Sequence, residues 1–239
     1  MPRTPSPDAR YLVGLFALTV ATGVVDAVSY LALDRVFTGN MTGNVLFVGF
    51  GLAGAGNVPL VNNAVALAGF LAGAVLAGRL VRGRRHRTRL PTAHLLLLAG
   101  TATAILLLGG AWLLLGEPAG GWLLGLTASL AAAMGVQAVA ARGAQISDVT
   151  TVVVTSTLVN FALDSPVAGG AGERWGRRLG AVLSMCAGGA LGALLVRAGS
   201  GAGALLVGGL FMALGAAALT WARSRETATE NIDQGGSDE

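Results

Sequence analysis

Three groups of polar residues interrupt long apolar stretches in this chain, and each can do chemistry. The first is the run Thr38-Gly-Asn-Met-Thr-Gly-Asn44, which sets Asn40, Thr42 and Asn44 among two glycines at the start of a short apolar segment. A helix start leaves backbone N–H groups unpaired and carries the positive end of the helix dipole, so the run can present amides, hydroxyls and N–H groups to a neutral or anionic ligand. The same residues also suit an N-cap and glycine turn that merely begin a helix. The second run, Asp148-Val-Thr-Thr-Val-Val-Val-Thr-Ser-Thr157, offers Asp148, Thr150, Thr151, Thr155 and Thr157. Threonine hydroxyls in a helix often bond the carbonyl of the preceding turn instead of a ligand. The third group is Asp26, with Gln137 near the corresponding place in the second half of the chain. A carboxylate inside a membrane helix costs at least about 2.5–3.5 kcal/mol and must face a bundle interior or water. Asp26 is therefore a candidate proton carrier or a hydrogen-bonded strut, and Gln137 its neutral counterpart or a residue that packs helices.

The elements that position these residues are membrane helices. The chain is 54% hydrophobic and 12% charged, with mean hydropathy +0.69 over 239 residues, where a soluble domain carries roughly 25% charged residues. Six stretches are long enough, or nearly so, for the roughly 20 residues that span hydrocarbon: Tyr11–Leu33, Leu60–Val81, Ala93–Leu115, Gly121–Ala141, Leu179–Val196 and Ala202–Ala222. Met41–Ala53 and Thr150–Leu163 are too short to cross a core of roughly 30 Å at 1.5 Å per residue, and are expected as broken or re-entrant helices. The expected fold is an all-α polytopic membrane protein with six transmembrane helices and two short ones, formed by residues 11–222. Residues 1–10 and a disordered tail from Arg223 to Glu239 are expected in the cytoplasm.

The order long, short, long, long occurs twice, over about 11–116 and 120–222. Ala68-Gly-Phe-Leu-Ala-Gly-Ala-Val-Leu76 matches Ala187-Gly-Gly-Ala-Leu-Gly-Ala-Leu-Leu195, with Gly69 and Gly73 falling on Gly188 and Gly192. Met41-Thr-Gly-Asn-Val45 sits like Val154-Thr-Ser-Thr-Leu158, and Gly23 like Gly135. Three spans per copy is an odd number, so the second copy is expected inverted, as in many secondary transporters. Charge agrees with six spans. All sixteen basic residues are arginine, and this arrangement places fourteen in the cytoplasm and only Arg35 and Arg197 outside, the bias expected of inner loops. Crossing by the first short segment alone still gives thirteen against three, so the repeat decides between the two.

The sequence pI of about 10.5 reflects arginines beside apolar stretches, above all Arg79-Leu-Val-Arg-Gly-Arg-Arg-His-Arg-Thr-Arg89; no nucleic-acid partner is expected. Cys186 is the single cysteine, and His86 and His94 stand apart from any ligand cluster, so neither a disulfide nor a metal site is expected. No nucleophile elbow, Walker loop or zinc-protease helix occurs, and neither enzymatic activity nor a cofactor is expected.

Gly23-Val-Val-Asp-Ala-Val-Ser-Tyr-Leu31, Phe37-Thr-Gly-Asn-Met-Thr-Gly-Asn44, Met134-Gly-Val-Gln137 and Asp148 to Leu158 resemble the YoaK-like family of bacterial membrane proteins. The resemblance runs from about Tyr11 to Ala222. This chain has Ala138 and Ser156 where family members more often have Asn and Gly. The resemblance implies a multi-pass protein of the bacterial inner membrane and names no substrate. From the inverted arrangement, Asp26, Asn40, Thr42, Asn44, Gln137, Thr155 and Thr157 are expected to converge on one central site for a small solute, making the protein a transporter or channel. The alternative is a scaffold or self-associating homo-oligomer, in which the glycine faces serve helix packing alone.

Overall fold

The computed structural model describes residues 7–82, 90–144, 154–172 and 174–235. Asp148, Thr150, Thr151, His86 and the arginines from Arg84 to Arg89 lie outside the described residues. In hydrocarbon every backbone N–H and C=O must be paired within its own segment, so the apolar stretches fold as helices. They are α1 (Pro7–Ala32), α2 (Met41–Leu52), α3 (Leu60–Val81), α4 (Thr92–Leu115), α5 (Gly120–Arg142), α6 (Val154–Leu163), α7 (Trp175–Arg197) and α8 (Gly201–Gly235), with a 3-10 turn at Pro166–Ala168. No strand occurs among the described residues. Six helices are long and apolar enough to cross a membrane, with apolar spans of 22 to 28 residues. The 12 residues of α2 reach only about 18 Å, and the 10 described residues of α6 about 15 Å.

The expected disordered tail is corrected at its start: α8 continues as helix past Arg223 to Gly235. From Trp221 to Gln234 no glycine or proline interrupts it, and side-chain contacts fix its first turns beyond the apolar part. Arg225 lies over the Trp221 ring at 5.6 Å, the Tyr11 hydroxyl donates to Glu226 Oε2 at 2.7 Å, and Arg223 Nη1 donates to Thr92 Oγ1 at 2.8 Å.

Helix α1 packs along α7 and α8, and α5 packs along α3 and α4. Helices α4 and α8 pack on each other, α2 lies on α3, and α6 lies on α7. The core is drawn largely from α1 (Leu15, Leu18, Val25) and α5 (Leu126, Leu130, Met134), whereas α3 and α7 expose Leu71, Leu76, Leu183 and Leu194, as suits faces against lipid. Glycine makes the closest contacts possible, because a missing Cβ lets backbones touch. A Cβ at Gly73 of α3 would strike the carbonyl of Ala132 in α5, as one at Gly188 of α7 would strike the carbonyl of Val20 in α1. Gly135 meets the Phe70 carbonyl and Ala74 nitrogen, and Gly23 meets the Met185 carbonyl and Gly189 nitrogen. Gly73 thus meets α5 as Gly188 meets α1, a likeness one helical turn from the match the sequence favours. Small residues recur every four positions along α7 at Ser184, Gly188 and Gly192, so sequence alone fits either register.

Candidate functional site

The site begins where α1 ends. Asp34 and Arg35 adopt left-handed φ angles of 63° and 54°, a conformation unfavourable to both side chains, and the chain turns back along the helix it has just left. Asn62 Nδ2 at the start of α3 donates to the Leu33 carbonyl at 2.7 Å and helps hold the turn. The returning segment reaches Asp26, six residues and therefore about 9 Å below the end of α1. There Asp26 Oδ1 accepts from the Gly39 nitrogen at 2.7 Å and from the Thr38 nitrogen at 3.2 Å. Asp26 is only 7% exposed; its carboxylate thus fixes the segment that leads into α2.

Asn44 fixes the same segment from the other side. Its Oδ1 accepts from the Phe37 nitrogen at 2.9 Å and its Nδ2 donates to the Phe37 carbonyl at 2.5 Å. Asn44→Ala leaves both backbone groups without these partners and is expected to cost about 2–3 kcal/mol, each buried bond being worth about 1 or more. The check is the thermal midpoint of the purified protein in detergent; an unchanged midpoint would show that Asn44 does not hold the turn. The segment places Phe37 on Tyr30, ring centroids 4.8 Å apart and planes 19° from parallel.

A cavity of about 740 Å³ opens between α1, α3, α5 and α7, with α2 and α6 both starting at its wall. Asp26, Asn40, Thr42 and Thr155 line it together. Asn44, Gln137 and Thr157 do not line it and are buried. Asn44 is taken up by Phe37. Gln137 makes no hydrogen bond within the described residues, and Thr157 sits one helical face away from Thr155. Asn40 stands at the N-cap position of α2 yet makes no side-chain capping bond. Thr19, Thr22 and Thr101 bond back to the carbonyl four residues earlier; Thr42 and Thr155 make no hydrogen bond among the described residues, so their hydroxyls remain for a ligand or water.

The remaining wall includes residues that sequence reasoning did not single out. Tyr30 and Arg142 contribute polar groups at the carboxyl ends of α1 and α5, and Phe70 and Met185 contribute apolar surface from α3 and α7. The single cysteine, Cys186, also lines the cavity. Charge placement in the sequence sets Arg142 among the cytoplasmic arginines and does not single it out. The signal for it lay in helical spacing, since it is one turn beyond Ala138 on the face that carries the cavity wall. Beyond the cavity, Arg178 Nη1 pairs with Asp164 Oδ2 at 2.9 Å and donates to the Asn160 carbonyl at 2.7 Å, tying the end of α6 to the start of α7.

Six apolar spans around an internal cavity, with two helices too short to cross beginning at its wall, define a multi-pass protein of the bacterial inner membrane, embedded in the lipid bilayer. The chain belongs to the family described as "Protein of unknown function (DUF1275)", which it matches over residues 14–218. It is similar to the UPF0700 transmembrane protein YoaK of Bacillus subtilis (strain 168), with 39% identity over 82 residues. That match covers 34% of this chain and 35% of the relative, so the chain spans about a third of that relative's length. No solved structure matches the chain significantly.

Proposed function

We propose that the protein moves a small solute across the inner membrane through this cavity, and that its two halves form an inverted repeat around it. The observation that carries the reading is the lining itself, to which both halves contribute equivalent residues. With Gly23 set on Gly135 and Gly73 on Gly188, Asp26 answers to Ala138, Tyr30 to Arg142 and Phe70 to Met185; Met41 and Thr42 answer to Val154 and Thr155. Both members of every pair line the cavity. The packing of α1 on α7 and α5 on α3 obeys the same exchange. So does the crossing of α4 and α8, where a Cβ at Gly109 would lie 2.9 Å from Leu206 Cδ2 and one at Gly209 would lie 2.7 Å from Leu106 Cδ2. Broken helices with polar starts near the middle of such a repeat are the usual frame for solute binding in transporters. With amino and carboxyl ends in the cytoplasm, α2 begins from the outer side and α6 from the inner. No catalytic chemistry is assigned to the cavity.

The scaffold reading fares worse on one point. Gly69 and Gly73 pack on α5, and Gly188 and Gly192 pack on α1, so the faces a self-associating bundle would offer are already used within the chain. The test is flux in liposomes reconstituted with the full chain, using osmotic shrinkage and recovery with a broad panel of small solutes, before and after a thiol reagent modifies Cys186. Recovery above protein-free liposomes for some solutes, abolished by modification, is expected. No flux, with Cys186 unreactive, would leave the scaffold.

A further inference from the structure

The two halves of the cavity wall differ in charge at equivalent places. In the first half, Asp26 lies against the segment that starts α2 and its carboxylate is held by two backbone N–H groups; one turn further along α1 comes the uncharged Tyr30. In the second half the position of Asp26 is taken by Ala138, and that of Tyr30 by Arg142. An acid has been lost and a permanent cation gained beside the start of α6. Arg142 makes no ion pair or hydrogen bond among the described residues, and the Thr155 hydroxyl faces the same cavity unbonded. The carbonyl end of α5 offsets at most about half a charge, so part of the charge of Arg142 stands. Asp26 is not paired with it: that carboxylate is held in the first half by the N–H groups of Thr38 and Gly39.

We infer that the second half-site binds the carboxylate of a small organic anion, which occupies beside Arg142 and Thr155 the place that the carboxylate of Asp26 occupies in the first half. The apolar part of the ligand lies against Phe70, Val139 and Met185, which line the same cavity. Guanidinium suits a carboxylate because its planar donors can pair with both oxygens. This assignment rests on reading the halves as equivalent and the cavity as a solute site.

Cys186 provides the test, since it is the only cysteine and lies in the wall. The full chain in liposomes is treated with a negatively charged and a positively charged methanethiosulfonate, and each labelling rate is divided by that reagent's rate with a free thiol. The anionic reagent is expected to be favoured by a few-fold, because Arg142 lines the cavity but is exposed, so solvent screens part of its charge. The preference should fall to near parity in Arg142→Gln, and likewise in Ala138→Asp, which sets the lost carboxylate beside the cation. Short-chain carboxylates at millimolar concentration should protect Cys186 in the wild type but not in Arg142→Gln, and the corresponding alcohols should protect neither. Equal rates, a preference for the cationic reagent, or equal protection by the alcohols would overturn the anion site while leaving a water-filled cavity and the transport reading in place. Failure of both reagents to label Cys186 would overturn the two together. Arg142→Gln keeps a polar, helix-compatible side chain at a helix end, so the comparison stands even if Ala138→Asp does not fold.

Discussion

Gly73→Leu, and equally Gly188→Leu, should leave little folded protein. At either position any Cβ is driven into a backbone carbonyl of the neighbouring helix, Ala132 for Gly73 and Val20 for Gly188. A flexible side chain can swing aside, but a carbonyl inside a helix moves only if the helix does. The α3–α5 and α1–α7 contacts must then open along their length. Overpacking a well-packed interior costs about 1–3 kcal/mol and occasionally more; a backbone collision belongs at the upper end, and at least about 3 kcal/mol is expected here. Gly100, Gly110 and Gly125 provide the contrast, for a Cβ at each meets nothing within 4 Å. Alanine at those positions should be neutral or stabilising by up to about 1 kcal/mol, because glycine is the poorer helix residue. Thermal midpoints in detergent, or yields of monodisperse protein, decide the matter. Indistinguishable behaviour of Gly73→Leu and Gly100→Ala would mean that the close approach of α3 and α5 is not what holds them.

Asp26→Ala should be the most damaging change in the cavity wall. It strips the acceptor from the Thr38 and Gly39 nitrogens, two buried donors. Each stranded donor costs about 1–3 kcal/mol, so the expected loss is about 2–6 kcal/mol. Asp26→Asn keeps an acceptor oxygen at the same place and should lose only about 1 kcal/mol, the difference between a charged and a neutral acceptor. Similar losses for the two variants would show that charge, and not the paired N–H groups, gives Asp26 its importance. The amide variant also separates an anchor from a proton carrier, because an amide cannot titrate. An anchor leaves any response of uptake to a pH gradient unchanged, whereas a carrier loses it. The bonds to Thr38 and Gly39 favour the anchor, since protonation would weaken the interaction that seats α2.

The helices were legible because their cause is local. Hydrocarbon thickness sets a length, and stretches such as Leu60–Val81 announce both ends; α3 has those same bounds. The shortness of α2 was legible for the same reason, and Asp26, Asn40, Thr42 and Thr155, singled out because polar groups in apolar segments need a reason to be there, all line one cavity. What could not be read was direction. Asn44 is as polar as Asn40 and four residues away, yet it turns inward to Phe37 while Asn40 faces the cavity. Gln137 and Ala138 are neighbours, and the alanine lines the wall. A helix rotates 100° per residue, so which of two adjacent residues meets the cavity depends on the rotation of α5 about its axis. That rotation is set by the contact of Gly135 with α3. The register of the proposed repeat could not be read either, because small residues spaced by four look the same one turn along.

Gly109 receives Leu206 as Gly209 receives Leu106, so the seam between α4 and α8 is complementary to itself. Variation at such a seam is one change available in two places: a bulkier residue at 109 calls for a smaller one at 206, and the same compensation exists between 209 and 106. Tolerance to substitution should therefore be heard twice along the chain, with Gly23 echoed at Gly135, Gly73 at Gly188 and Gly109 at Gly209. Under the inverted repeat proposed above, the protein would behave in inheritance as a half-length text copied out twice, in which each half constrains what the other can become.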